Sequence, residues 1–238
     1  MKLLLIVYTL LLTFSVHAEE ALPELKINKI APNTYLYKSF QNVDGFGLMS
    51  SNGLVIFHEK KAFIIDTPWS EQDTKTLVGW IEKRGYKPAA SISTHSHEDR
   101  TAGIKWLNEQ NIPTYASTLT NELLAKKEQT LASHSFTGPN FQLEDGLIEI
   151  FYPGGGHTID NLVVWLPKSK LLFGGCFIRS LQTQGLGYTG EASIEQWPSS
   201  VEKVLLKYPQ VEIVIPGHGK LGDINLLTHT KQLAAAKN

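Results

Sequence analysis

Two histidines and an aspartate alternate in His95-Ser96-His97-Glu98-Asp99, a pattern that can hold a metal ion. Imidazoles at alternate positions suit zinc, iron, copper or nickel, and a carboxylate two residues on adds a hard oxygen donor. Taken singly, each of these residues is explained as well by a polar turn in which Asp99 caps a helix. Three more candidates follow glycines. His157 comes after Pro153-Gly154-Gly155-Gly156, Cys176 after Gly174-Gly175, and His218 after Pro216-Gly217. Glycine lets backbone approach closely at such turns. The set comprises four imidazoles, one carboxylate and one thiolate. That is too many for one tetrahedral zinc that keeps a position open, and a natural number for two. His58 in a turn, His134 in a polar loop and His229 on a terminal helix are read as ordinary surface or satisfied histidines.

Strands must carry these loops. Residues 89–94 form an apolar strand that runs directly into the His95 motif. Residues 147–152, 171–173 and 211–215 are strand-like and stop just before His157, Cys176 and His218. Loops leaving one edge can converge on one point, and loops commonly host function. Upstream, strand-like pieces run through residues 25–37, 40–47, 54–57 and 62–65, with a hairpin turn at 58–61. Ser70 is a helix N-cap, the apolar stripe Leu77, Trp80 and Ile81 follows, and Gly85 can stop that helix. Further helices are expected around Ile104 to Leu107 and at 118–127, 197–208 and 223–236, with short strands at 112–115 and 162–166. This order, β-rich and then alternating α and β, occurs twice. Two sheets packed together with helices outside satisfy it, with a single core between the sheets.

The composition agrees with a folded globular domain and excludes other classes. Of 238 residues, 42% are hydrophobic and 19% charged, which is globular rather than disordered. A formal net charge of -1 gives no excess of cations for a nucleic-acid backbone, so a binder working mainly through phosphate contacts is excluded. The single cysteine excludes an internal disulfide framework. The chain opens with Lys2, a nearly all-apolar run over residues 3–12, and Val16 and Ala18 placed three and one positions before Glu19. These are the marks of an export signal cleaved after Ala18, and the run is too short to remain as a membrane anchor. The mature chain, 19–238, is then a single exported domain of two similar halves in the periplasm. In an oxidising compartment a lone cysteine is either buried as a small hydrophobe or held as a metal thiolate.

The chain resembles the class B metallo-β-lactamases of the first subclass, close to the acquired, carbapenem-hydrolysing enzymes of Gram-negative bacteria. The likeness covers essentially the whole mature chain. It is carried by Phe63-Ile64-Ile65-Asp66-Thr67-Pro68, His95-Ser96-His97-Glu98-Asp99, Ile112-Pro113-Thr114-Tyr115, Tyr152-Pro153-Gly154-Gly155-Gly156-His157-Thr158, Asp160-Asn161, Leu172-Phe173-Gly174-Gly175-Cys176 and Gly217-His218-Gly219. The His-x-His-x-Asp motif alone marks a wider superfamily that includes thioesterases of the glyoxalase II type. Those relatives resemble one another in a histidine after the motif aspartate and a metal-bridging aspartate; here Arg100 and Cys176 stand instead.

The resemblance implies an α+β fold, a four-layer αββα sandwich with two Zn2+ per chain at one edge. It implies that His95, His97 and His157 hold the first zinc and Asp99, Cys176 and His218 the second. The implied reaction is hydrolysis of the β-lactam amide of penicillins, cephalosporins and carbapenems by attack of a zinc-bound hydroxide, which confers antibiotic resistance. Asp99 would orient the nucleophile. Arg179 stands where the family often has lysine and could grip a substrate carboxylate through its planar fork. Tyr188 replaces an asparagine found in many relatives, which weakens any oxyanion-donor role for that loop. Phe46 and Val43 would contact substrate from a mobile flap, Trp69 would floor the pocket, and Asp66 would steady the metal site from behind. The partners implied are small-molecule β-lactams, with no nucleic acid and no stable membrane anchor, and a monomer is the default. The rivals are a glyoxalase II type thioesterase, a periplasmic zinc-storage protein and a structural module.

Overall fold

A computed structural model describes residues 21–237. The proposed export signal lies outside the described residues. Seven strands form one sheet in chain order: β1 (Lys26–Ala31), β2 (Thr34–Val43), β3 (Gly47–His58), β4 (Lys61–Ile65), β5 (Lys87–Ile92), β6 (Thr114–Ser117) and β7 (His134–Phe136). The first four pair antiparallel and the last four parallel. Five more form the second sheet: β8 (Asn140–Glu144), β9 (Ile148–Phe151), β10 (Val163–Leu166), β11 (Leu171–Gly175) and β12 (Ile213–Pro216), in spatial order β12-β11-β10-β9-β8. Only β11 and β12 are parallel there.

Period-two alternation decides which sheet face each side chain takes. Phe63 and Ile65 point into the core between the sheets and meet Val164, Leu166, Leu171 and Phe173 from the other side. Ile64 points outward to Leu77, Val78 and Ile81 of α1 (Glu71–Glu82). Trp165 and Leu172 likewise point outward from the second sheet. They meet Trp197, Val201 and Val204 of α5 (Trp197–Lys207) and Leu226 and Leu227 of α6 (Asn225–Ala235). Both faces of both sheets are therefore covered, so these strands read as continuous apolar runs. The expected αββα sandwich is what the chain forms.

Local signals held where they were strong. The Ser70 hydroxyl accepts from Asp73 N at 3.0 Å and caps α1. Three details differ from the sequence reading. His134 is the first residue of β7 rather than part of a loop. This strand has only three residues, two of them polar, so it carries no alternation to detect. Strand β8 also went unread, although Phe141 and Leu143 alternate with polar residues and pack against the core. The helix after the His95 motif is two pieces, α2 (Glu98–Thr101) and α3 (Ile104–Glu109). They break at Gly103, where a Cβ would stand 2.4 Å from Thr74 Oγ1. The remaining helix is α4 (Thr118–Lys126).

Candidate metal centre

Each candidate donor leaves the end of a strand. Strand β5 leads through Ser93 and Thr94 to His95, β9 leads through the Gly154-Gly155-Gly156 turn to His157, β11 ends beside Cys176, and β12 ends two residues before His218. The donor atoms of His95, His97 and His157 all lie within 4.8 Å of one another. So do those of His95, Asp99 and Cys176. His218 Nε2 joins this second group, 3.2 Å from Cys176 Sγ and 3.3 Å from Asp99 Oδ2. All six residues thus form two adjoining groups, with His95 within reach of both.

The electrostatics of these groups suit a cation. Both ring nitrogens of His95 and Nδ1 of His157 are buried with no hydrogen-bond partner. Buried polar atoms seldom stay unsatisfied, so a buried His95 ring with no hydrogen-bond partner, close to the donors of His97 and His157, fits a metal ligand. Burial holds His95 well below its ordinary pKa. Burial, helped by the neighbouring His97, brings His157 down to about 3. Both rings are therefore neutral, the form that binds metal. Burial works against ionisation of Asp99, but Arg100 and His218 overcome it and hold the carboxyl well below its usual range. His218 behaves oppositely: burial opposes its charge, yet Cys176 and Asp99 raise it to about 10. Its Nδ1 is 2.8 Å from Ser50 O, which leaves Nε2 toward Cys176. A metal joining this group must displace that Nε2 proton. Nitrogen, oxygen and sulfur donors in tight groups, with the His95 and His157 rings neutral, fit zinc.

Arg100 supports the second group from behind, a role the sequence did not disclose. It is fully buried. Its Nη2 donates to Cys176 Sγ at 2.9 Å and Gly217 O at 3.1 Å and lies 2.8 Å from Asp99 Oδ2. Its Nη1 donates to Asn52 O at 2.6 Å and Asp66 Oδ2 at 3.1 Å. Asp66 also accepts from Thr94 N at 2.7 Å and Thr94 Oγ1 at 3.0 Å, so it reaches the donors only through Arg100 and the strand end. Its backbone is left-handed, φ 60°, and its carbonyl accepts from Tyr37 Oη at 2.5 Å. Gly217 is the point of closest approach: a Cβ there would be 2.6 Å from Cys176 N and 2.7 Å from Arg100.

A cavity of about 340 Å³ opens over the donors. Val43, Phe46, Trp69, Arg179 and Tyr188 all line it, so every proposed substrate contact reaches the same space. Phe46 sits in the turn between β2 and β3 and is half exposed. The Trp69 ring is 5.8 Å from that of His218. Among the described residues Arg179 has no ion-pair partner, and its Nε is buried without an acceptor. The Tyr188 ring meets that of His97 edge-on at 5.8 Å, and its hydroxyl end lies over Gly190. Glu191 also lines the cavity, 2.9 Å from His97 Nε2, and sequence reasoning missed it. Asn161 is structural: its Oδ1 accepts from Thr158 N and its Nδ2 donates to Gly154 O.

Comparison with known proteins decides the family. Residues 46–218 match the model of the metallo-beta-lactamase superfamily. The chain belongs to that superfamily. Within it, the likeness is to class B, first subclass. A Pseudomonas aeruginosa protein named metallo-beta-lactamase type 2 is 47% identical over 217 residues, 91% of this chain and 87% of that one. A protein of the same name from Bacteroides fragilis is 32% identical, covering 98% and 96%. The crystal structure of the metallo-β-lactamase DIM-1 exposed to ceftazidime superposes with a TM-score of 0.91 at 60% identity, over 92% of this chain and all of that one. That of TMB-1 gives 0.89 at 60% identity over 91% of this chain.

Proposed function

We propose that this metallo-β-lactamase hydrolyses the β-lactam amide of penicillins, cephalosporins and carbapenems with two zinc ions. The carrying observation is two adjoining donor groups beneath a cavity that holds one unpaired cation, Arg179. His95, His97 and His157 would hold one zinc, and Asp99, Cys176 and His218 the other. Bound zinc supplies Lewis acidity and lowers the pKa of water toward neutrality, so the protein needs no serine nucleophile. Asp99, held ionised, accepts a hydrogen bond from the attacking water and orients it rather than storing its proton. Arg179 binds the substrate carboxylate through its fork, which fixes the lactam carbonyl over the donors. Val43, Phe46 and Trp69 give the apolar walls. Tyr188 shapes the wall beside His97. Over the whole reaction a C–O bond forms, the ring C–N bond breaks, and a proton from water ends on nitrogen.

The thioesterase alternative calls for a histidine at position 100 and an aspartate at 176, and this chain has Arg100 and Cys176 there. Among the described residues no helix is long and apolar enough to cross a membrane. We further propose export to the periplasm after removal of residues 1–18, and a single monomeric domain over 19–238. The test is imipenem hydrolysis, followed by loss of absorbance, before chelation, after it, and after zinc is restored. Turnover lost and regained supports the proposal. No turnover of imipenem or of a chromogenic cephalosporin with two zincs bound overturns it.

A further inference from the structure

Glu191 lies outside both donor groups and touches one of them. Its Oε2 is 2.9 Å from His97 Nε2. Lys127 Nζ, just past the end of α4, donates to the two carboxylate oxygens at 2.8 and 2.9 Å. The other nitrogen of His97, Nδ1, faces inward, 3.2 Å from His157 Nε2. A carboxylate acceptor on one imidazole nitrogen keeps the proton there, leaves a lone pair on the other, and fixes the ring's rotation. His97 needs such a device more than its neighbours. His95 is fully buried and His157 nearly so, and packing holds both, whereas the His97 side chain is 18% exposed at the cavity wall. Glu191 needs one too, because its side chain is 38% exposed. Lys127 supplies that anchor from a different element.

We propose that Glu191, anchored by Lys127, is a positioning residue that commits His97 to presenting Nδ1 to the three-histidine group. The inference rests on the reading of that group as a zinc site. Acting through His97, Glu191 would govern zinc affinity at one site and leave the Asp99–Cys176–His218 site alone. An exposed surface ion pair with no further role would change neither.

The test is zinc affinity, by competition with a chromogenic chelator, together with the number of zincs bound by elemental analysis. The proteins are wild type, E191A, E191Q and K127M. E191A should weaken one of two zincs by about 10–100-fold, the usual cost of losing such a partner. E191Q keeps an acceptor oxygen and should recover part of that loss, and K127M should fall between wild type and E191A. In the cobalt-substituted proteins the thiolate-to-metal absorption, which reports Cys176, should stay unchanged. Both affinities within twofold of wild type in E191A overturn the inference, as does an equal loss at the thiolate site. Should E191A fail to fold, E191Q and K127M decide alone, and both within twofold of wild type would overturn it. A wild-type protein that binds no zinc would instead overturn the zinc-site reading itself.

Discussion

Replacing Arg100 with alanine tests the supporting layer most directly. The side chain is fully buried, and its guanidinium meets Asp66, Asp99, the Cys176 sulfur and the carbonyls of Asn52 and Gly217. Alanine would leave the buried Asp66 carboxylate without its cation and Asp99 with His218 alone. Breaking a buried pair by removing one partner costs about 3–5 kcal/mol, because the remaining charge is stranded. The loss should depend on pH. Burial already raises Asp66 to about 6 even with Arg100 opposing it. Without Arg100 that pKa climbs further, and the carboxyl escapes its penalty by taking a proton. A carboxyl raised in the fold destabilises above its folded pKa and ceases to do so as pH falls below it. The variant's deficit should therefore be greatest near pH 8 and smaller near pH 5.5. Urea unfolding of chelated wild-type and R100A protein at both values measures it. R100K, which keeps charge without the fork, should recover only part. A deficit under about 1 kcal/mol at pH 8, the range of an exposed pair, would refute the reasoning, as would a deficit that grows on acidification.

Other consequences can be measured on the same protein. The chelated protein should lose stability as pH falls below about 6.5, because the unfolded chain takes up protons that His95 and His157 refuse in the fold. Each imidazole contributes about 1.4 kcal/mol per pH unit, and Asp66, raised to about 6, offsets one of them between roughly pH 6 and 4. A urea midpoint that is flat or rising from pH 7 to pH 5 would count against those burial effects. G217A places a Cβ against Cys176 N and should cost about 1–3 kcal/mol while weakening zinc at the thiolate site; full zinc retention would show that the loop yields freely. R179A should lower kcat/KM for carboxylate-bearing substrates by about 10–100-fold, the worth of a charge-assisted hydrogen bond, with R179K partly restoring it. Unchanged kinetics would remove Arg179 from substrate binding.

The candidate donors left local traces: His157, Cys176 and His218 each follow an apolar run and a glycine turn, and His95, His97 and Asp99 alternate directly after an apolar strand. The sandwich was legible because buried strands such as Ala62 to Ile65 are continuous apolar runs. Arg100 left no such trace. Its partners Asn52, Cys176 and Gly217 stand 48, 76 and 117 residues away, and nothing beside an arginine in sequence distinguishes a buried fork from a surface cation. Glu191 was hidden likewise, 94 residues from His97 and 64 from Lys127. Strand β7 was hidden because its pairing to β6, rather than its own pattern, makes it a strand.

Both donor groups draw on both sheets. His95, His97 and Asp99 follow β5 of the first sheet, whereas His157, Cys176 and His218 follow β9, β11 and β12 of the second. Neither half alone can complete either group, so a metal bound to either one ties the sheets together and stabilises the fold in proportion to the logarithm of its concentration over Kd. Arg100 makes the same crossing from the first sheet to Cys176 and Gly217. Together with His218 it keeps Asp99 ionised, and its contact with Sγ orients the thiol, so a metal binding there need not order these donors. The three-histidine group has no such cation inside it, and rests on packing around His95 and His157 and on the Glu191 contact to His97. Damage to the two supports should therefore separate the two sites: loss of Arg100 falls on the thiolate site, and loss of Glu191 on the histidine site.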